Sequence, residues 1–469
     1  MKTLKYLFVG AVLLGAAAPV AAQELVPEAV SAIKSKAADA DKQAKAAYKK
    51  NKKDGAAIMK IAQAYYDIKD TANARVYAEY ATQLKPKYGP GFVMLGDIAA
   101  LAEDGGGAAK MYDQAIYFDP TNPEPYIKYA QVYRKISPTS AVSKLDDLKA
   151  HRPDIAVDAL KGRIYYQSNE FERAIAEFAK ADRSKMEERD LRSFAMAYYL
   201  TAKHDKALDV VEYALQKSPR DAGFNRLAFF CNTDLKNFDK ALEYADRLFN
   251  QSDSAKFTYF DYSYHGNALA GAKRHEEAVA AYKKALEQEF DSNDKKAGVL
   301  KQLSEAYSNQ EQYDEAIEFY QQYLKEYSTP TATDYAGLPQ LHYYKSAKQE
   351  GDDRIASLKK ADELYEQLAQ KYPDAEEYAT FWRARVNNAM DNDQQGGLAK
   401  PFYEKIVASL GDKADKSRAD IARLKEAYLY LISYDARVAD DMEAAKAVAT
   451  KLLEIDPENA IATQVLEIK

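Results

Sequence analysis

Five histidines, at positions 151, 204, 265, 275 and 342, and one cysteine, Cys231, are the residues of this chain best suited to metal binding or nucleophilic attack. Their spacing supplies neither. A zinc-binding helix carries two histidines one turn apart around a glutamate, and no His-Glu-x-x-His is present. Cys231 sits in the apolar stretch Leu227 to Cys231, its nearest histidine in sequence is His204, and no Cys-His motif surrounds either, so it reads as a small core residue. A single cysteine also forms no internal disulfide. His265, beside Gly266, has the setting of a packed side chain. Gly105-Gly106-Gly107 has the composition of a phosphate loop, but no strand pattern precedes it and no Gly-Lys-Ser/Thr follows, so a turn between two helices is expected. The carboxylate pairs Glu187-Glu188 and Asp352-Asp353 have the residue types for acid–base work, yet both stand where helices start and acids favour the dipole. No catalytic residue, metal ligand or cofactor is expected.

What positions these residues is a period. Pro86 and Pro120 stand 34 residues apart. Counting back from the first meets Ala81, Ala78, Ala74, Ala62 and Ile61; the same offsets from the second meet Ala115, Tyr112, Ala108, Gly96 and Leu95. Small residues at fixed offsets let two antiparallel helices approach closely, and aromatics such as Tyr65 and Phe92 fill the wedge to the next pair. The lattice aromatic, Leu-Gly, aromatic, Ala, aromatic, Ala, Pro resembles the tetratricopeptide repeat over nearly the whole chain after residue 54. The resemblance implies an all-α fold, a right-handed superhelical solenoid of antiparallel helix pairs with about 10–11 repeats. Period-2 alternation is absent over any useful length.

Residues 23–54 read as N-terminal capping helices, with Val30, Ile33, Ala37, Ala44 and Tyr48 on one side. A first array of about six repeats covers 55–254 and a second of about five covers 255–458, irregular after 330. The third repeat is one residue short, and its deletion is expected in the Ile136–Thr139 turn, with Ser137 as cap and Pro138 opening the next helix. The sixth has Asn232 where an aromatic is usual and ends in the polar run Asn250–Ser254, which reads as a break or hinge. After Pro330 the first helix, near Tyr335 to Ala347, is expected to have gained length. Residues 459–469 read as the solvating cap helix that an array end requires.

In tetratricopeptide arrays ligands lie against the first helix of each pair. Carried over by offset, that face comprises Met59, Tyr66, Arg163, Tyr166, Arg189, Arg192, Met196, Tyr199, Arg226 and Phe230. Arginine reads carboxylates bidentately and tyrosine offers flat, desolvatable area, so the resemblance implies a groove for an acidic or C-terminal peptide segment. The family's Lys/Asn carboxylate clamp is not present as such, because the comparable positions hold Ala159, Arg163, Arg192 and Met196. An aromatic-lined groove could equally stack on sugar rings.

Residues 1–22 carry Lys2 and Lys5, the apolar run Tyr6–Ala18, then Pro19, Val20, Ala21 and Ala22 before Gln23, the pattern of a cleaved secretory signal. The apolar run is short against the roughly twenty residues that span a bilayer, and no Cys follows for lipid attachment. Cleavage there takes the formal charge from −6 to −8. With mean hydropathy −0.55, no transmembrane segment is expected in the mature chain. Lys and Glu are mixed along most helices, which disfavours nucleic acid as a partner. Asp70-Thr71-Ala72 and Asp253-Ser254-Ala255 resemble the acceptor motif of bacterial periplasmic O-glycosylation, making Thr71 and Ser254 candidate modified residues. The expected protein is a non-enzymatic, exported, periplasmic bacterial scaffold or adaptor that binds a protein or peptide on its concave face. The alternative is a glycan-binding or nutrient-uptake accessory protein of the cell envelope, and a catalytic site inside the altered repeat from Pro330 to Pro373 is the remaining reading.

Overall fold

The structure, a computed structural model, describes residues 20–468 and is helical throughout, with one isolated bridge between Asp221 and Asp253 outside the helices. The leader expected at residues 1–22 lies outside the described residues except for its last three, which open the first helix. The chain divides into two compact units between Pro219 and Arg220.

The first unit holds six consecutive helix pairs: α1 (Val20–Lys34) with α2 (Ala40–Lys50), α3 (Gly55–Asp67) with α4 (Thr71–Thr82), α5 (Gly89–Leu101) with α6 (Gly105–Phe118), α7 (Pro123–Tyr133) with α8 (Pro138–His151), α9 (Asp158–Gln167) with α10 (Phe171–Phe178), and α11 (Glu188–Leu200) with α12 (His204–Lys217). The second continues with α13 (Ala222–Asp234) and α14 (Phe238–Asp246), α15 (Tyr259–Gly271) and α16 (His275–Leu286), α17 (Asn293–Ser308) and α18 (Tyr313–Glu326), α19 (Ala332–Ser346) and α20 (Gly351–Lys371), α21 (Glu376–Met390) and α22 (Lys400–Leu410), α23 (Arg418–Arg437) and α24 (Met442–Ile455), and a last single helix, α25 (Ala460–Glu467).

One turn chemistry joins the helices of seven pairs. Lys69, Glu103, Asn169, Ala202, Lys236, Lys273 and Glu311 each adopt a left-handed backbone with φ between 55° and 66°. In each case the following N–H reaches back to a carbonyl near the end of the first helix: Asp70 to Tyr65, Asp104 to Ala99, Glu170 to Tyr165, Lys203 to Tyr198, Asn237 to Asn232, Arg274 to Leu269 and Gln312 to Tyr307. This C-terminal motif satisfies an orphan carbonyl and reverses the chain in a few residues, which is why the paired helices run antiparallel. Asp70 and Asp104 then cap the second helix, accepting from the N–H of Asn73 and Gly107. The α7–α8 turn lacks the left-handed residue; Ser137 N–H donates to Tyr133 O and its hydroxyl accepts from Ser140 N–H, so the missing residue falls at the expected place.

Close helix approach depends on the small positions. A Cβ at Gly96 would lie 2.4 Å from the Tyr112 ring, one at Gly162 2.7 Å from Phe178 and one at Gly266 2.3 Å from Tyr282. Each glycine is on a first helix and each ring sixteen residues later on its partner, so the offset that defines the repeat is a steric contact.

Three expectations need correction. The glycines 105–107 are the first turn of α6, where the Asp104 carboxylate accepts from the Gly107 amide that a phosphate would otherwise take. The length gained after Pro330 belongs to the second helix: α19 has 15 residues and α20 has 21, because the segment from Gly351 winds on ahead of the usual register while Ala361 and Leu368 keep their buried positions. The polar run Asn250–Ser254 lies inside the second unit, where a π-helical turn (Arg247–Gln251) ends α14 and the Arg220 guanidinium donates to Asp253 at 2.6 Å. The array boundary expected between 254 and 255 therefore also falls within that unit.

Candidate functional site

The arginines expected to face a ligand are bound to the protein's own acids. In the first unit Arg163 on α9 donates bidentately to Asp190 on α11, Nε–Oδ1 2.7 Å and Nη2–Oδ2 3.0 Å, with the Asp190 side chain 3% exposed. In the second unit Arg226 on α13 pairs with Asp261 on α15 and donates to the Lys256 carbonyl. Lys301 on α17 pairs with Asp334 on α19 at 3.0 Å. Each acid is the third residue of its helix, so a cation on one first helix clamps the first turn of the next. Burial raises the Asp190 carboxyl above its ordinary value, a cost that Arg163 only partly offsets. Burial would raise Asp334 as well, but hydrogen bonds from the Tyr323 hydroxyl, from Thr331 and from Lys301 outweigh it and hold this carboxyl well below the usual carboxylate range.

The rest of the expected face is dispersed. Met59 and Tyr66 pack, half-buried, on the core of the first unit, and burial raises the Tyr66 hydroxyl. Tyr166 lies 5.8 Å from the Phe171 ring, Tyr199 meets His204 at 5.2 Å, and Arg189 pairs with the exposed Glu187. Arg192, itself engaged, and Met196 are half-buried on α11. Phe230, in the second unit, is 7% exposed and packs against Tyr264 at 4.2 Å between ring centres. Thr71 is the first residue of α4 and half-buried; Ser254 is exposed in a turn with φ 52°.

A groove of about 720 Å³ lies in the second unit along α17, α19 and the start of α21. Lys301, Glu305, Ser308 and Asn309 line it from α17, Gln340 and Tyr344 from α19, and Asp374 and Tyr378 close its far edge. The carboxylate of Glu305 makes no hydrogen bond or ion pair among the described residues, because Lys301, one turn earlier, is drawn to Asp334 and over the Tyr323 ring. Crowding by the groove walls raises the Glu305 carboxyl above its ordinary value, with Lys301 opposing. Sequence reasoning passed over this stretch. The offsets applied to the earlier repeats, carried on to the eighth, select Lys301, Glu305, Ser308 and Asn309; the signal was present.

A second cavity of about 620 Å³ is walled by Phe249, Phe257, Tyr262 and His265. His265 packs at a tilt against Phe249, 5.2 Å between ring centres, and its imidazole is pushed down to about 4 by burial and by Lys284 and Arg274. His342 is likewise pushed down to about 4, by burial first and then Lys345 and Lys360. A histidine harder to protonate folded than unfolded contributes stability that is complete above the unfolded value near 6.5 and lost as pH falls toward 4. Between pH 7 and pH 4.5 this amounts to about 2 kcal/mol for His265. His265→Phe is expected to reduce the acid-induced loss of stability by that amount in urea unfolding followed by circular dichroism; an unchanged loss would remove His265 from the account. Cys231 is fully buried, which pushes its thiol up to about 12 and leaves no thiolate at neutral pH. Among the described residues no cluster of three or more His, Cys, Asp or Glu is arranged to hold a metal, and no helix is long and apolar enough to cross a membrane.

The sequence pattern of the tetratricopeptide repeat matches residues 265–291 and 299–329, the pairs α15–α16 and α17–α18 that lead into the groove. None of the curated proteins compared with the chain matches it. Among solved structures, the C-terminal part of a TPR repeat-containing protein from Cytophaga hutchinsonii is similar over 59% of this chain and 100% of its own, at 22% identity and TM-score 0.49. A tetratricopeptide repeat protein from Parabacteroides merdae is similar over 54% and 98%, at 17% identity and TM-score 0.34, and pilF of Pseudomonas aeruginosa over 42% and 89%, at 14% and 0.33.

Proposed function

We propose, from the premise that the chain is a tetratricopeptide-repeat protein and so a protein-interaction scaffold, that it holds an extended polypeptide in the groove along α17, α19 and α21, outside the cytoplasm. The observation that carries the reading is the groove itself: successive first helices turn one register of side chains toward the same space, and among the described residues the side-chain polar atoms of Glu305, Ser308 and Asn309 have no partner there. An extended chain presents backbone donors and acceptors along its length, and such side chains are the complement it requires. Arg163 of α9 and Arg226 of α13 are taken up by Asp190 and Asp261 and are not offered to a ligand. Export rests on the signal-like residues 1–22, and the mature protein then begins at Gln23.

A photo-reactive phenylalanine placed at Tyr344 or at Gln340, in cells that make the protein, tests the groove against the same group at the exposed Lys359 on α20. One discrete adduct at both groove positions and none at Lys359 is the expected outcome. Equal labelling at all three positions would remove the groove from the mechanism. N-terminal sequencing of the protein recovered from the cell envelope tests export directly.

A further inference from the structure

We propose that the groove between α17 and α19 selects a cationic residue, the lysine or arginine side chain of an extended peptide, seated on Glu305 with the Tyr344 ring alongside. The inference rests on the groove reading above and adds its sign of charge. That sign is the opposite of what the sequence suggested.

The sign of charge follows from which groups in the groove are already satisfied. Among the described residues Lys301 is the only cation lining the groove, and it is held at 3.0 Å from Asp334 and 5.1 Å from the centre of the Tyr323 ring. Asp334 in turn accepts from Thr331 N–H and its hydroxyl at 3.0 Å and 2.8 Å. That cluster is closed and neutral toward the groove. Glu305 and Asp374 remain, and neither carboxylate has an ion-pair partner among the described residues. A groove with two unanswered carboxylates and no unanswered cation repels an acidic segment and attracts a basic one. Tyr344, 40% exposed, offers the aromatic face over which a guanidinium or ammonium group settles once it has shed part of its water. Ser308, Asn309 and Gln340 then meet the backbone on either side of that residue. Glu305 is exposed toward the groove, so an incoming side chain reaches it without displacing any part of the protein.

The test uses the full chain and three short fluorescein-labelled peptides, in which alanine alternates with lysine, with glutamate or with glutamine. Fluorescence anisotropy at low salt reads their affinity for wild type, for Glu305→Gln and for Glu318→Gln, a like change on the exposed face of α18. The lysine peptide is expected to bind wild type and E318Q alike and E305Q about tenfold more weakly, with circular dichroism unchanged. The photo-reactive group at Tyr344 reports separately whether each peptide enters the groove. Entry of the glutamate or glutamine peptide as readily as the lysine peptide overturns the charge preference while the groove reading stands. Entry of none overturns both. Equal affinity of the lysine peptide for wild type and E305Q overturns the role of Glu305.

Discussion

Arg163→Ala is expected to lower the stability of the first unit by about 3–5 kcal/mol, more than loss of a surface arginine costs, because it strands a buried acid. Asp190 is 3% exposed at its side chain, its carboxyl already lies above the ordinary value because burial disfavours the charge, and both of its oxygens accept from the one guanidinium. Arg189 also acts on this carboxylate through its charge, but among the described residues only Arg163 donates hydrogen bonds to it. Part of the loss is a desolvation penalty on the partner left behind, so Arg163→Ala combined with Asp190→Ala should recover much of it. Thermal and urea unfolding of the two single variants and the double variant close the cycle. A loss below about 1 kcal/mol in R163A would put the pair in the class of exposed ion pairs and reopen Arg163 as a ligand contact. Charge reversal is worse still: Arg163→Glu sets two carboxylates against each other in a dry site, and lost binding in such a variant would report unfolding.

The architecture was legible because its determinants are short-range. Gly96 with Tyr112, Gly162 with Phe178 and Gly266 with Tyr282 are contacts within a single helix pair, so they recur at a fixed offset and need no knowledge of what stacks above or below. The one-residue deletion in the Ile136–Thr139 turn was legible for the same reason, since a serine before a proline specifies a helix start locally. The ligand face was not. Whether Arg163 or Arg226 is free depends on an acid 27 or 35 residues away, on the next first helix, and offset counting treats every outward cation alike. Half of that information is in fact local. Thr258-x-x-Asp261 and Thr331-x-x-Asp334 are capping boxes, which fix an acid in the first helical turn and make it a standing partner for a cation on the preceding repeat. The length of α20 escaped notice because Ala361 and Leu368 hold the repeat register while the added turns ahead of them follow no repeat rule.

Asp334→Asn joins the two halves of the account, stability and charge preference, in one substitution. The carboxylate caps α19 through Thr331, accepts from the Tyr323 hydroxyl and holds Lys301, so four donors converge on one side chain. An amide keeps the size but turns an NH₂ toward some of those donors and releases Lys301. The second unit is expected to lose about 3 kcal/mol, near the lower end for a broken buried pair because Lys301 can return to solvent. Asp334 titrates below the ordinary range, so its contribution is complete above the unfolded carboxyl value near 4 and lost as the pH falls further. Unfolding curves of wild type and D334N should therefore differ at pH 7 and converge in strong acid; a difference that persisted there would mean that packing and not charge is at work. The freed Lys301 stands four residues before Glu305 on α17, the spacing at which opposite charges meet along a helix. It is expected to neutralise Glu305, and the lysine peptide should then bind D334N as weakly as E305Q under conditions where D334N is still folded. Were D334N to bind that peptide as wild type does, Asp334 would be a structural acid alone, and the groove's charge would be set without it.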